Sequence, residues 1–244
     1  MQREAISVTI GLVPTKPGLI GTSESVGDYL KAILELGGED NSRVTTNALA
    51  GRLGVRTPSV TGMLQKLASQ RPALVRYEKH RGVRLTAAGE RRAWELVRRH
   101  RLLELFLHDV LKYSSDEVHE EADRLEHVIS ERFEDRIAAI LGDPGIDPHG
   151  HVIPHKHQAG PRREGVPLLL WPLRTPAAIT SVSDRSATAL RELERLGLTP
   201  GATLTVEQKN SAASLALRLA NHTDPIRLSS DLAGCVLVAA GPAA

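Results

Sequence analysis

The sequence predicts a mainly α chain with β, built as an N-terminal winged helix-turn-helix, a helical middle region and a small C-terminal β-barrel. Three observations carry this prediction. Between 46 and 86, a short helix stopped by glycine leads into a second helix opening on hydroxyl residues, and then into two alternating strands with a basic tip. From about 87 to 141 the chain reads as long capped helices, the second with apolar residues at helical spacing. Beyond about 166 the texture changes to short strands.

In chain order, Ser23 can cap a helix over 24–37, with Val26, Tyr29, Leu30, Ile33 and Leu34 on its apolar face and Gly37-Gly38 at its end. A second helix spans Thr46 to Gly54, and Val55-Arg56 turns the chain. Thr57 is expected to cap a third helix running to about Gln70, with Pro58 at its first position and Val60, Leu64 and Leu67 facing inward. Ala73–Tyr77 and Gly82–Thr86 read as a hairpin around Glu78-Lys-His-Arg81, a wing with a basic tip. Thr86 caps a helix over 87–112. Ser114 with Glu117 forms a capping box for one further helix over 115–141, whose stripe is Val118, Ala122, Leu125, Ile129, Phe133, Ile137 and Ile140. That stripe is long enough to pack on the preceding helix and on a second subunit. Residues 143–166 are rich in Pro, Gly and His and read as linker. Ala177–Val182, Thr203–Gln208, Ser214–Ala220 and Gly234–Ala239 are the expected barrel strands, with a helix over 184–196 between the first two. The expected divisions are an extension at 1–21, a DNA-binding domain at 22–92, a metal-binding and dimerisation domain at 93–147, a linker at 148–166 and a barrel domain at 167–244.

The 244 residues leave room for more than one core, and the net charge of +2 says little about partners. Its distribution says more: 15 Lys and Arg against 5 Asp and Glu over 43–112, then 3 against 11 over 113–147. A basic block followed by an acidic one points to an anion-binding module joined to a cation-binding or oligomerising one. The single cysteine, Cys235, forms no internal disulfide and is read as a buried strand residue, in keeping with a reducing cytoplasm. No apolar run approaches the ~20 residues of a membrane span. Met1–Ile20, broken at Pro14 and Pro17, does not read as a signal peptide.

In a helix-turn-helix the first residues of the second helix reach base edges in the major groove. Here these are Arg56, Thr57, Ser59, Thr61, Gly62 and Gln65, of which Gln65 can pair bidentately with adenine. Arg43, Thr46, Arg52 and Lys66 are placed to hold phosphates, and Arg81 at the wing tip to reach the backbone or minor groove. The competing reading is a helical hairpin with a solvated basic face. Gly62 offers no side chain to a base, so no operator sequence follows.

His119, Asp123, Glu126 and His127 stand at relative positions 0, 4, 7 and 8 and share one helix face. His100 and Glu104 form an i,i+4 pair on the preceding helix. Carboxylates and imidazoles so spaced can hold a divalent metal, as in carboxylate-bridged bundle sites. They can equally be a solvated face of i,i+4 pairs, the reading given to Glu117, Glu120, Glu121, Glu131 and Glu134. The histidines at 149, 151, 155 and 157 form a separate cluster that could bind metal, but with no carboxylate nearby they are expected to be exposed loop residues.

Ser25-Val-Gly-Asp-Tyr-Leu-Lys-Ala-Ile33, Thr57-Pro-Ser-Val-Thr61, Arg99-His-Arg-Leu102, Val118-His-Glu-Glu-Ala122, Leu125-Glu-His-Val128 and Pro148-His-Gly-His-Val-Ile-Pro154, in this order and spacing, resemble the diphtheria-toxin-repressor family of metal-dependent bacterial repressors. The resemblance covers about 22–155 closely. Residues 165–244 resemble more loosely the family's SH3-like, FeoA-like domain. It implies a primary metal site of Asp28, Asp123, Glu126 and His127, and an ancillary site of His100, Glu104 and His119. Iron-type members carry Met and Cys where this chain has Asp28 and Asp123, and manganese-type members carry acids. Hard oxygen ligands suit Mn(II). Manganese is therefore expected, with Fe(II) the alternative and Zn(II) or Co(II) able to bind in vitro.

Two departures stand out. Where manganese-type members can carry a glutamate three residues after the first-helix aspartate, this chain has Lys31. Where the SH3-like domain can lend Glu and Gln to the ancillary site, the chain has Ser186 and Ala189, unless Asp184 or Glu192 substitutes. The expected function is a cytoplasmic homodimeric repressor of manganese or iron uptake genes that binds palindromic double-stranded operator DNA when metal joins the two N-terminal domains. The rivals are a metal-independent winged-helix regulator sensing a small molecule and a metalloenzyme; no catalytic pair beyond the ligands supports the latter, and no membrane partner is expected.

Overall fold

In this computed structural model, residues 23–156, 160–161, 165–210, 214–220, 222 and 224–241 are described. The expected extension at 1–21, the Ser23 side chain and His157 lie outside that description.

Helix α1 (Ser23–Gly37) buries Val26, Tyr29, Leu30, Ala32 and Ile33, the face that helical spacing assigns inward. Helix α2 (Thr46–Leu53) is capped by the Thr45 hydroxyl, which accepts from Ala48 N at 3.1 Å. It stops at Gly54, whose φ of +66° is the left-handed conformation of a helix C-cap. Helix α3 (Thr57–Ser69) starts differently from the sequence expectation. Arg56 holds the N-cap without a side-chain bond, and Thr57 is already helical, its hydroxyl 3.4 Å from Asn47 Oδ1. Strands β1 (Val75–Glu78) and β2 (Gly82–Leu85) form the wing hairpin. Val44 joins β2 through a bridge to Val83. Leu30, Ile33, Leu49, Leu64 and Leu67 fill the core beneath these elements.

Helix α4 (Ala87–Asp109) begins at Thr86, whose oxygen accepts from Gly89 N and donates to Ala73 O, tying the helix start to the hairpin. The expected helix over 115–141 is two helices, α5 (Ser115–Leu125) and α6 (Glu131–Ile140). The capping box of Ser114 and Glu117 is present at the first. The break has a local cause: Ser130 accepts from Phe133 N as an N-cap, and Glu131 and Glu134 favour the positive end of a new helix. The apolar stripe divides accordingly. Val118, Ala122 and Ile137 pack with Leu102, Leu103 and Leu107, while Phe133 and Ile140 face outward.

The C-terminal unit is a six-stranded antiparallel sheet. Its strands are β3 (Val166–Pro167), β4 (Pro176–Val182), β5 (Thr203–Asn210), β6 (Ser214–Leu219), β7 (Ile226–Ser229) and β8 (Val236–Ala240), ordered β3-β8-β4-β5-β6-β7. Irregular register in β4 and β5 bends the sheet around its core. Helix α7 (Ala187–Arg195) inserts Leu190 and Leu193 into that core. The short α8 (Ser230–Gly234), β3 and β7 carried too little periodicity to be anticipated. Cys235 is not a buried strand residue as expected: it is the half-buried C-cap of α8, one residue before β8.

The segment after α6 is not a loose connector. Asp147 is buried and accepts from the backbone N–H groups of His149 and His151, both at 2.9 Å. Val182 N donates to His149 O, which seats this segment on β4.

Gly89 sets a close approach: a Cβ there would lie 1.9 Å from Leu74 O. Gly89→Ala should destabilise the protein by about 1–3 kcal/mol, as overpacking against backbone does. A chemical-denaturation midpoint equal to wild type would show that the helix start has slack.

Candidate metal centre

Four parts of the chain converge on adjoining clusters of carboxylates and imidazoles. Helix α1 brings Asp28 and Lys31, three residues apart on one face. Helix α4 brings His100 and Glu104, and α5 with its C-terminal turn brings His119, Asp123, Glu126 and His127. The loop between β4 and α7 brings Asp184.

The seven expected metal residues are all present, in a different division. Asp28, Glu126 and His127 have ligand atoms within 4.8 Å of one another. His127 Nε2 lies 3.1 Å from Asp28 Oδ1 and 3.2 Å from Glu126 Oε1. Asp123 is not in that group. It lies 3.2 Å from His100 Nδ1, and the Lys31 ammonium donates to it at 3.2 Å. A second group joins His100, Glu104 and His119 as expected and adds Asp184. His100 Nε2 is 3.0 Å from Glu104 Oε1, and His119 Nδ1 is 3.1 Å from the same oxygen and 3.7 Å from Asp184 Oδ2. The fully buried Glu126 joins the groups, with Oε2 2.7 Å from His100 Nδ1.

Of the possible substitutes from the barrel, Asp184 enters the cluster. Glu192 does not: it is bound by Arg195. Ser186 caps α7 instead. The linker histidines depart further from expectation. His149 is buried with its Nε2 3.7 Å from Glu104 Oε1, and half-buried His151 has its Nδ1 3.2 Å from Asp147 Oδ2 and 3.9 Å from Asp184 Oδ2. Among the described linker histidines, only His155 is exposed as expected. The hairpin-like turn around Asp147, which folds these rings inward, has no periodic signal. An aspartate two and four residues before histidines was the one hint.

Electrostatics follows from burial. Burial opposes a charge on His100, yet Glu104 beside it holds its pKa well above the usual imidazole range. Burial would raise the pKa of Glu104, but His100 holds it well below the carboxylate range. Asp28 raises His127. Burial works against the Lys31 ammonium as well, and Glu126 and Asp123 more than offset it. The centre is thus an array of paired opposite charges, with one defect. Glu104 Oε2 and His149 Nε2 are buried without a hydrogen-bond partner among the described residues. A buried polar atom left without a partner costs about 1–3 kcal/mol, and a carboxylate oxygen and an imidazole nitrogen so placed are atom types that hold a cation. Oxygen and imidazole donors of this kind suit Mn, Fe or Zn.

Gly27 went unnoticed in the sequence. A Cβ there would lie 2.8 Å from His127 Cε1 and 2.9 Å from Leu96 Cδ1. A glycine inside an amphipathic helix, which costs about 1 kcal/mol relative to alanine, was the available signal.

The winged helix presents Arg56, Ser59, Gly62, Gln65 and Lys66 to solvent at helical spacing along α3. Thr57 and Thr61 are half-buried, and the Thr61 hydroxyl donates to Thr57 O at 3.2 Å. Thr46 is half-buried at the start of α2. Arg43 is bound by Glu78 of the wing, and Arg81 stands exposed at its tip, 3.6 Å from the same carboxylate.

A winged helix sharing a carboxylate–imidazole cluster with a helical domain defines a class, the metal-dependent DNA-binding regulators. Comparison with known proteins narrows it. Residues 21–83 match the iron dependent repressor N-terminal DNA binding domain, 86–155 the iron dependent repressor metal binding and dimerisation domain, and 166–240 the FeoA domain. The iron-dependent repressor IdeR of Mycobacterium leprae is 30% identical over 232 residues, covering 90% of this chain and 97% of that protein. A solved manganese-dependent transcriptional repressor in complex with manganese superposes with a TM-score of 0.81 at 34% identity, over 88% of this chain and 99% of that one. The manganese regulator SloR superposes with a TM-score of 0.74 at 30% identity, over 88% and 98%. The chain belongs to the diphtheria-toxin-repressor family of metal-dependent transcriptional repressors.

Gly27→Ala should push the His127 ring from Asp28 and weaken Mn(II) binding by about tenfold, the scale seen when a ligand loses its support. Calorimetric titration of the variant tests this; an unchanged affinity would mean that Gly27 does not set the ring's position.

Proposed function

We propose that this protein is a cytoplasmic, dimeric, manganese-responsive repressor that binds palindromic operator DNA when a divalent cation occupies the Asp28, Asp123, Glu126 and His127 centre, with Fe(II) the alternative effector. The observation that carries it is the position of Asp28. This residue belongs to α1 in the core of the winged helix, and it meets His127 and Glu126 at the end of α5. A divalent cation there would take over carboxylates that internal ion pairs now hold, and so bias the two parts toward the DNA-competent arrangement. His100, Glu104, His119 and Asp184 form a second centre, with His149 and His151 against it. Carboxylates in place of soft sulfur at 28 and 123 favour manganese over copper-like or thiolate-seeking metals.

Fixing α1 against α5 fixes the direction of α3. In a twofold dimer that direction sets the spacing of the two recognition helices, which must match about 34–36 Å of DNA. The outward-facing Val110, Leu111, Tyr113, Phe133 and Ile140 supply apolar surface for the twofold contact. Differential binding of the cation to the DNA-competent arrangement is what couples the two sites. The protein's relatives are transcriptional repressors, which supports reading it as a regulator rather than an enzyme.

The experiment is fluorescence anisotropy at fixed salt, with DNA selected from a random pool by the manganese-loaded protein. Mn(II) should strengthen binding at least about tenfold over chelator, within the usual range of allosteric coupling. Asp28→Ala should remove that enhancement while leaving weak, salt-sensitive binding. Equal binding in Mn(II) and chelator would instead support a metal-independent regulator.

The DNA-contacting residues should separate by role. Gln65→Ala is expected to cost about 1–3 kcal/mol and to relax preference at one base pair. Arg81→Ala should weaken binding to all sequences alike and lower the salt slope by about 1. If Arg81→Ala changed sequence preference instead, the wing would be reading bases.

A further inference from the structure

Lys31 stands where the resemblance allows a metal-binding glutamate, and the structure shows what the opposite charge does there. Its ammonium donates to both oxygens of Glu126, at 2.9 and 2.8 Å, and to Asp123 at 3.2 Å. Its side chain is 16% exposed and that of Glu126 is fully buried. Lys31 and Asp28, one turn apart on α1, therefore grip the end of α5 by complementary pairs: cation to Glu126 and Asp123, carboxylate to His127. Two of the four proposed primary ligands are thus already engaged by a positive charge that the chain carries itself.

We propose that Lys31 is a tethered cation: in the metal-free protein it clamps the winged helix to the helical domain, and it competes with the divalent ion for Asp123 and Glu126, so that it sets the metal concentration at which the centre fills. The inference rests on the proposed metal-responsive reading of this centre. Its physical basis is direct. A lysine ammonium is a compact charge on a flexible four-carbon stem, able to hold carboxylates and to swing out when a stronger cation arrives. Without the ammonium the buried Glu126 keeps only the His100 and His127 imidazoles beside it, so the ammonium's departure is favoured when an ion arrives to replace its charge. The cleft between α1, α2 and α5, lined by Asp28, Lys31, Arg52 and Asp123, opens to solvent beside the ammonium and gives it somewhere to go.

The test compares wild type with Lys31→Met, Lys31→Glu and Lys31→Arg in the full-length protein. Manganese binding is read by calorimetry and by loss of the free Mn(II) electron paramagnetic resonance signal. The metal-free clamp is read separately, in chelator, by amide hydrogen exchange of α1. Removing the charge in Lys31→Met should tighten Mn(II) binding about ten- to a hundredfold, the effect of deleting one unit charge at contact distance. It should also speed α1 exchange in chelator. Lys31→Glu should do both more strongly, and Lys31→Arg, which keeps the charge, should leave α1 exchange near wild type and not tighten the metal. Wild-type affinity in Lys31→Met and Lys31→Glu would overturn the competition, and wild-type α1 exchange in both would overturn the clamp; either result rejects the proposal. Failure of the wild-type protein itself to bind Mn(II), or binding undiminished in Asp28→Ala, would reject the reading of the centre and not the role of Lys31 alone. Should Lys31→Met not fold, Lys31→Glu carries the same two readouts.

Discussion

A carboxylate removed from water must be surrounded by positive charge, and Glu126 is wholly buried at the end of α5. Its neighbours follow from that need. His100 approaches one oxygen and His127 the other, and Lys31 reaches both. Each of these side chains arrives from a different place: α4, the turn after α5 and α1. Satisfying one buried charge thereby fixes how the winged helix meets the helical domain. The helix break after Leu125 belongs to the same arrangement, since it places Glu126 and His127 at a chain turn from which both can reach back toward α1.

This dependence also makes the junction responsive. Apolar packing within each part is extensive and continuous, as in the cores beneath α1 and around α4 to α6. The contacts that join α1 to the end of α5 are by contrast ionic: Asp28 to His127, and Lys31 to Glu126 and Asp123. Ionic contacts respond to the arrival of another cation, and packed side chains do not. A regulator that senses an ion has its sensitivity at the seam and its rigidity within the parts.

Much of this was legible in the sequence. Caps at Thr86 and Ser114, glycine at 54, the basic hairpin and the periodicity of α1 and α3 are local signals, and local signals specify local structure. The expected metal residues of α4 and α5 fall into adjoining clusters, because helical spacing is a reliable guide to which side chains share a face, whereas Asp28 came from the resemblance. The failures have a common cause. The break at Ser130 was hidden by an apolar stripe that continued across it, although the cap that makes the break was in plain view. Asp184, His149 and His151 join the centre through tertiary folding of segments without periodicity, and Gly27 matters only because His127 lands on it. Lys31 was legible as an oddity, but its partners on α5 lie 92 and 95 residues away in sequence.

Asp184 carries a further consequence. It reaches His119 from the loop that leaves β4, and Val182, two residues earlier, is bonded to the backbone of His149. The second cluster is therefore assembled from the helical domain, the segment after α6 and the barrel, whereas Asp28, Lys31, Glu126 and His127 come from the winged helix and the helical domain. A protease that cut the connector after Pro161 would leave the first cluster's residues on one fragment and strip an acid from the second. The two clusters thus differ in what keeps them whole. One is a property of the N-terminal half, and the other is complete only while the barrel stays attached, so it reports on the connection between the two.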